Sequence, residues 1–130
     1  MPKSNQAPVP TEITLHQQSE VLELLYSNGT RVRLPFEFLR VHSPSAEVRG
    51  HGPGQETLQV GKRGIKIKAL DPVGNYALQP SFSDGHNTGI FSWEYLHELG
   101  SNQDRLWQQY LEKLARAGAS RDPVAAVRPG

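Results

Sequence analysis

The segment Val21 to Leu34, VLELLYSNGTRVRL, constrains the fold most, because it predicts a β-hairpin with only one acceptable register. A two-residue Asn28-Gly29 turn would mix apolar and polar side chains on each face, whereas a three-residue Ser27-Asn28-Gly29 loop separates them. Such a loop favours glycine in the left-handed conformation, so we expect Gly29 to adopt it. The predicted cross-strand pairs are Leu22–Leu34, Leu24–Val32 and Tyr26–Thr30 on one face, and Glu23–Arg33 on the other.

Other segments alternate apolar and polar residues, as half-buried strands do. Glu12 to His16 predicts a first strand, and Thr57 to Val60 and Gly64 to Ala69 predict two more. The stretch Asn75 to Trp93 predicts an aromatic strand, a polar turn and a second aromatic strand at Thr88 to Ser92.

Helical spacing dominates the C-terminal part. Pro35 can begin a short helix, and Trp93 begins a longer one that Gly100 is placed to end. Ser101 can cap the next helix, with Asp104 three residues later. The apolar stripes of these last two helices are Trp93, Leu96 and Leu99, then Leu106, Trp107, Tyr110, Leu111 and Leu114. Strands followed by helices predict an α+β fold: a small, mostly antiparallel sheet of about five to seven strands with the C-terminal helices packed against it.

A chain of 130 residues suits one domain, which we place at residues 11–117. Residues 1–10 and 118–130 lack apolar periodicity and are expected to be flexible tails. The first residues have no hydrophobic region typical of a secretory signal, and no apolar run approaches the roughly 20 residues that span a bilayer.

Charge and cysteine content exclude several protein classes. The net charge is +1 with both signs interspersed, unlike the basic stripe of a nucleic-acid-binding protein. The absence of cysteine excludes disulfides and thiolate metal sites, and fits a cytoplasmic protein.

Three histidines lie in two polar segments, the glycine- and proline-rich loop His42–Gln55 and the turn Asp84–Gly89. Imidazole and carboxylate groups bind iron and zinc, so these segments contain a candidate metal site. No HEXXH motif and no pair of histidines four residues apart is present, and a hydrogen bond that orients the turn would equally explain His86. The candidate ligands are His42, His51 and His86, with Glu47 or Asp84 as the carboxylate.

Catalytic motifs are missing from the sequence. The glycines near His51 do not form a P-loop, and Pro53 removes one backbone donor from any anion-binding loop there. The serines lack the nucleophile-elbow context, and an Asp84-Gly85 turn explains the DGH sequence. No catalytic residue is predicted, and we expect a protein that is not an enzyme.

Three segments carry a family resemblance: LRVHSPSAEVRGHGPGQ (Leu39 to Gln55), DPVGNYAL (Asp71 to Leu78) and SDGHNTGIFSWEYLHELG (Ser83 to Gly100). They resemble stand-alone bacterial proteins of the gamma-butyrobetaine hydroxylase N-terminal-like domain family, a domain of unknown function. The resemblance extends over about residues 11–100. In the carnitine-pathway hydroxylases, a similar domain precedes a 2-oxoglutarate and iron(II) oxygenase domain that holds the catalytic residues, so we do not expect these 130 residues alone to catalyse hydroxylation.

In those hydroxylases the domain holds a structural zinc through three cysteines, spaced CxCxxC after a Leu-Arg pair, and one later histidine. The resemblance places these ligands at Ser43, Ser45, Val48 and His86 of this chain. A serine hydroxyl replaces thiolate poorly and valine has no donor atom, so the resemblance implies that the zinc site is lost. No cofactor is therefore expected.

The resemblance implies a non-catalytic accessory or interaction domain that binds an unidentified protein, and neither nucleic acid nor a membrane. Similar domains are also fused to P-loop ATPases of iron–sulfur cluster assembly. Two alternatives are open: an iron- or zinc-binding protein linked to that assembly, or an accessory subunit of an oxygenase. The predicted binding surface comprises His42, Arg49, His51, Gln55, Asp84, His86 and Asn87.

Overall fold

The computed structural model describes residues 8–123. The strands are β1 (Glu12–His16), β2 (Val21–Leu25), β3 (Arg31–Pro35), β4 (Ile67–Val73), β5 (Ala77–Phe82) and β6 (Phe91–Ser92). The helices are α1 (Phe36–Val41), α2 (Ala46–Arg49), α3 (Trp93–Ser101) and α4 (Gln103–Ala117). None of the helices in this described range is long and apolar enough to cross a membrane.

The first sheet has the order β1-β2-β3 and is antiparallel throughout. It confirms the predicted hairpin register, with Leu22 opposite Leu34 and Leu24 opposite Val32. The Tyr26 amide donates to the Thr30 carbonyl over 2.9 Å, which closes the three-residue loop. Gly29 has a φ of +86° within that loop, the left-handed conformation that the loop requires.

The second sheet has the order β4-β5-β6, so the prediction of a single sheet is wrong. The α+β class is confirmed, but its six strands form two three-stranded antiparallel sheets. Helices α1 and α2 and a long loop separate β3 from β4, and β4 pairs instead with its immediate successor β5.

Three of the predicted strands differ from those in the structure. Residues 57–60 form no strand: the Thr57 amide donates to the Val48 carbonyl, and the Gln59 carbonyl accepts from a tyrosine of α4. The strand predicted at Gly64 begins at Ile67 and continues to Val73. The strand predicted over residues 88–92 is reduced to β6, and the Thr88 side chain bonds to Glu47 of α2.

Helix α3 begins at Trp93, as predicted, and the Ser92 hydroxyl caps it by accepting from the Tyr95 amide over 3.1 Å. Gly100 does not end this helix. A Cβ atom there would lie 2.7 Å from Val32 Cγ1, so glycine lets the helix approach β3 closely. Ser101 is the last residue of α3, and Asn102, not Ser101, precedes α4.

The main core lies between the two sheets and α3. Its fully buried members include Leu24, Phe36, Ile67, Phe91 and Leu96. The predicted stripe of α4 also faces inward, with Tyr110 and Leu114 buried against Val41 in a second, smaller cluster. Helix α4 therefore packs over α1 and the loop that follows it.

The chain after α4 turns back onto the domain. The Ser120 and Arg121 carbonyls accept from the Gly61 and Arg63 amides, each over 2.9 Å. The Arg121 guanidinium forms two hydrogen bonds of 2.7 and 2.6 Å to the buried Glu37 carboxylate. Packed chain therefore continues beyond the predicted domain boundary at residue 117. The mobility predicted for both tails stays a prediction, and residues 1–7 and 124–130 lie outside the described part.

Candidate functional site

The loop His42–Gln55 and the turn Asp84–Gly89 lie against each other, and His86 joins them. Its Nε2 atom lies 2.8 Å from Ser43 Oγ and 3.4 Å from Ser45 Oγ. The histidine is only 6% exposed, so it lies beneath the surface. We call this connection the loop–turn junction; its members are Arg40, Ser43, Ser45, Asp84 and His86.

Two further contacts fasten the loop to the turn. Gly89 packs so closely on Ser43 and Pro44 that a Cβ atom would overlap the Ser43 hydroxyl. At the surface, the Thr88 hydroxyl donates to the Glu47 carboxylate over 2.7 Å. A polar loop of this length would be free to move by itself, but these contacts hold it against the second sheet.

Asp84 is the charged centre of the junction. Its Oδ2 atom accepts from Arg40 Nε at 2.9 Å and from Lys62 Nζ at 2.6 Å, and its Oδ1 accepts from the His86 amide at 3.2 Å. Burial opposes ionisation, but the bonds from Lys62 and the His86 amide, with the charge of Arg40, outweigh it and lower the pKa of Asp84 to about 2. The aspartate is therefore ionised at neutral pH and balances the buried Arg40.

His86, in contrast to Asp84, is held in its neutral form. Burial lowers its pKa, and the charge of Arg40 lowers it further, against the weaker pull of Glu47 and Asp84. Glu47 lies 3.8 Å from Nδ1, too far for a hydrogen bond. The ring is consequently neutral near pH 7 and bonds to the serine hydroxyls, as expected for a histidine that orients a turn.

The candidate metal ligands are dispersed or already bonded. His42 Nδ1 lies 2.9 Å from the Phe38 carbonyl, which fixes this nitrogen as the donor, and His51 is exposed in the loop. Glu47 bonds to Thr88, and Asp84 bonds to two cations. Within residues 8–123, no group of three or more histidine, aspartate or glutamate side chains is arranged to hold a metal ion.

The positions that the resemblance assigned to zinc ligands do converge in part. Ser43 and Ser45 both contact His86, and Val48 is buried at 7% exposure. Two hydroxyls and an aliphatic side chain do not suit zinc, which takes thiolate, imidazole and carboxylate ligands. The residues at this site therefore do not fit the zinc of the hydroxylases, and hydrogen bonds connect these positions instead.

The other predicted surface residues are exposed around the junction. The Arg49 guanidinium lies over the Tyr95 ring, 4.8 Å from its centroid. The Gln55 backbone amide donates a hydrogen bond to the Gly52 carbonyl, which closes a tight loop. The Asn87 backbone carbonyl accepts a hydrogen bond from the Gln79 side chain. The predicted binding residues thus form two layers. The inner layer is the buried His86 with the half-buried His42 and the partly exposed Asp84 side chain, and the outer layer is Arg49, His51, Gln55 and Asn87.

A cavity of about 280 Å³ lies beside this surface, between the loop, residues 56–59 and α4. Sequence reasoning missed it because the stripe of α4 showed only that the helix packs inward, not what it packs against. No local pattern places α4 next to residues 56–59. The lining residues are Val41, His42, Ser43, Val48, Arg49, Glu56, Thr57, Leu58, Gln59, Leu106, Gln109, Tyr110 and Lys113.

One family model and several solved structures are similar to this chain. The model described as "Gamma-butyrobetaine hydroxylase-like, N-terminal" matches residues 13–97. One solution NMR structure is 48% identical, covers 95% of this chain and 98% of its own, and has a TM-score of 0.79. A second is 44% identical, with coverages of 100% and 98% and a TM-score of 0.78.

A crystal structure from Acidithiobacillus ferrooxidans gives a similar result. That protein, of unknown function and placed in the DUF971 family, is 43% identical and has a TM-score of 0.59. The match covers 70% of this chain and 91% of that one. Comparison with curated proteins gives no match.

Proposed function

Because the chain belongs to the gamma-butyrobetaine hydroxylase-like N-terminal family, we propose that it is a non-catalytic accessory domain that binds a partner protein. The proposed contact surface is the outer layer over the loop–turn junction, formed by Arg49, His51, Gln55 and Asn87. The observation that carries this proposal is the fastening of the loop to the turn through His86, which is bonded to Ser43 and 6% exposed.

The attachment of the loop to the turn favours binding, because the free-energy cost of binding is smaller when a loop is already ordered. Ordering a flexible side chain or loop on binding consumes roughly 0.5–1.5 kcal/mol for each immobilised side chain. The buried His86 and the partly exposed Asp84 fix the backbone beneath the exposed side chains, so a partner meets a surface whose backbone is already ordered. Functional loops on rigid scaffolds are commonly built this way.

The described donor groups favour protein binding over the metal-binding alternative. Asp84 is neutralised by Arg40 and Lys62, and His42 uses one ring nitrogen for the Phe38 carbonyl. The family resemblance suggests two kinds of partner: an oxygenase catalytic domain, or a P-loop ATPase of iron–sulfur cluster assembly. The lack of cysteine supports a cytoplasmic setting for such a complex.

A pull-down from the native host tests this proposal. The wild-type chain is compared with an Arg49→Ala, His51→Ala, Asn87→Ala variant, which changes only exposed side chains of the proposed surface. The matched control is Lys68→Ala, Arg105→Ala, Gln108→Ala, which changes exposed side chains elsewhere. Amide NMR spectra verify that both variants fold.

We expect the wild type and the control to capture the same protein and the surface variant to lose it. An identical set of captured proteins for all three would place binding on another face. Capture of nothing by the wild type beyond a bead-only control would contradict the accessory role itself.

A further inference from the structure

The cavity beside the loop has walls that are joined to one another. The Thr57 amide donates to the Val48 carbonyl over 2.8 Å, which ties residues 56–59 to α2. The Tyr110 hydroxyl donates to the Gln59 carbonyl over 2.7 Å, which ties the same residues to α4. The Tyr95 hydroxyl donates to the His42 carbonyl over 2.6 Å, which fixes the start of the loop. The cavity is thus preformed.

Its lining combines an apolar interior with a positive rim. Val41, Val48, Leu58, Leu106 and Tyr110 supply the apolar side chains. The charged residues of the lining are Arg49, Lys113 and Glu56, so cations exceed carboxylates by one. Neither Arg49 nor Lys113 forms an ion pair with another residue of the described range 8–123.

His42 contributes no charge to this lining at neutral pH. Burial lowers its pKa, as does the nearby positive charge of Lys113. Its Nδ1–H donates to the Phe38 carbonyl, which leaves Nε2 as the acceptor of the neutral ring. The excess charge of the cavity therefore comes from Arg49 and Lys113 at the rim.

We infer that this cavity binds a small monocarboxylate that carries an apolar chain. One excess positive charge suits one negative charge, and the apolar interior suits a hydrocarbon body. The volume of about 280 Å³ lies just below the ~300–1,000 Å³ typical of small-molecule sites, so the ligand is small. The cavity shares Arg49 with the proposed protein-binding surface, but its ligand class is different and its test needs no partner protein.

NMR titration of the isotope-labelled full chain with octanoate tests the inference. Octylamine and octanol are the control ligands, because they keep the chain and change the charge to positive or neutral. An Arg49→Gln, Lys113→Gln variant removes both rim cations. A Lys68→Gln, Arg105→Gln variant makes the same change in charge at exposed positions outside the cavity lining.

We expect saturable shifts of amides in residues 41–43, 48–49, 57–59 and 106–113 with octanoate. The rim variant should weaken binding at least about tenfold, the equivalent of ~1.4 kcal/mol, while the control variant binds as the wild type does. Absence of saturation at millimolar octanoate would overturn the inference. So would equal binding of octylamine or octanol, or equal weakening by the control variant.

Discussion

Two carboxylates of this domain, Glu23 and Asp84, each contact one histidine and two basic side chains, but in different surroundings. The histidine contact is the His16 ring at Glu23 and the His86 backbone amide at Asp84. Glu23 contacts His16 and Arg31 at 2.7 Å and Arg33 at 3.6 Å, all from neighbouring strands of the first sheet. Asp84 collects its partners from α1, the segment before β4 and its own turn. The partners of Glu23 are close to it in sequence, whereas Arg40 and Lys62 are distant from Asp84 in sequence and reach it only in the folded chain.

The two sites differ further in the exposure of their cations, although the carboxylate side chains are 11% exposed at Glu23 and 26% at Asp84. The side chains of Arg31 and Arg33 are 63% and 56% exposed, whereas that of Arg40 is 8% exposed. Water can replace the partner of an exposed cation, so surface ion pairs contribute little to stability. A buried cation that loses its counter-charge has no such replacement. The same set of charges is therefore expected to matter much more at Asp84.

Asp84→Asn should have the largest effect, because it leaves the buried Arg40 without a counter-charge. We expect the free energy of unfolding to fall by about 3 kcal/mol, the lower end of the range for a broken buried pair, since Asp84 itself is partly exposed. Urea denaturation measures the loss. Glu23→Gln is the matched control and should destabilise much less. Equal losses in the two variants would remove the proposed distinction between the sites.

Ser43→Ala should have the next largest effect. It removes the 2.8 Å hydrogen bond that His86 makes inside the loop–turn junction, and the buried ring has few other partners. We expect a loss of about 1–3 kcal/mol, together with faster hydrogen exchange of amides in the loop 42–55 and the turn 84–89. Ser27→Ala, at an exposed position in the loop of the first hairpin, provides a control. Unchanged exchange in the loop would show that other contacts hold it.

The comparison also shows what the sequence can predict. Alternation and one turn correctly predict the Glu23–Arg33 pair and the register of the first hairpin, but not the shorter contacts of Glu23 with His16 and Arg31. The partners of Asp84 depend on tertiary packing, and no periodicity indicates that Arg40 or Lys62 is near it. Only the family resemblance brought Ser43, Ser45 and His86 together, and it did so as former metal ligands.

The errors in the predicted fold also come from tertiary contacts that no local pattern indicates. Gly100 was interpreted as a helix terminator, but it permits close contact with Val32 of a distant strand. Residues 57–60 alternate like a strand, yet a hydrogen bond from Tyr110 engages their backbone. In both cases a contact with a residue distant in sequence outweighs the local pattern.

Acidification should affect stability in two separate windows. His86 has a lowered pKa in the folded chain, so the unfolded chain takes up the proton first and the free energy of unfolding falls as pH drops below about 6.5. His42 shifts in the same direction. Asp84 acts at lower pH. Its contribution to the free energy of unfolding is present above pH 3.8 and is lost as the pH falls toward its folded-state pKa of about 2.

Urea denaturation between pH 7.5 and 4.5 checks the histidine window. The decline should be smaller in His86→Gln than in the wild type, with His51→Gln, at an exposed position, as the control. A wild-type stability that stays constant or rises as the pH falls from 7 to 5 would contradict the buried neutral state of His86.

Hydrogen bonds and the Asp84 ion pairs hold the loop–turn junction together, at the position where the related hydroxylases hold zinc. Elemental analysis of the full chain, purified without an affinity tag, tests this claim most directly, with His86→Ala analysed in parallel. We expect no stoichiometric zinc or iron in either protein. About one metal ion per chain in the wild type, lost in His86→Ala, would contradict the claim and make the junction a metal site.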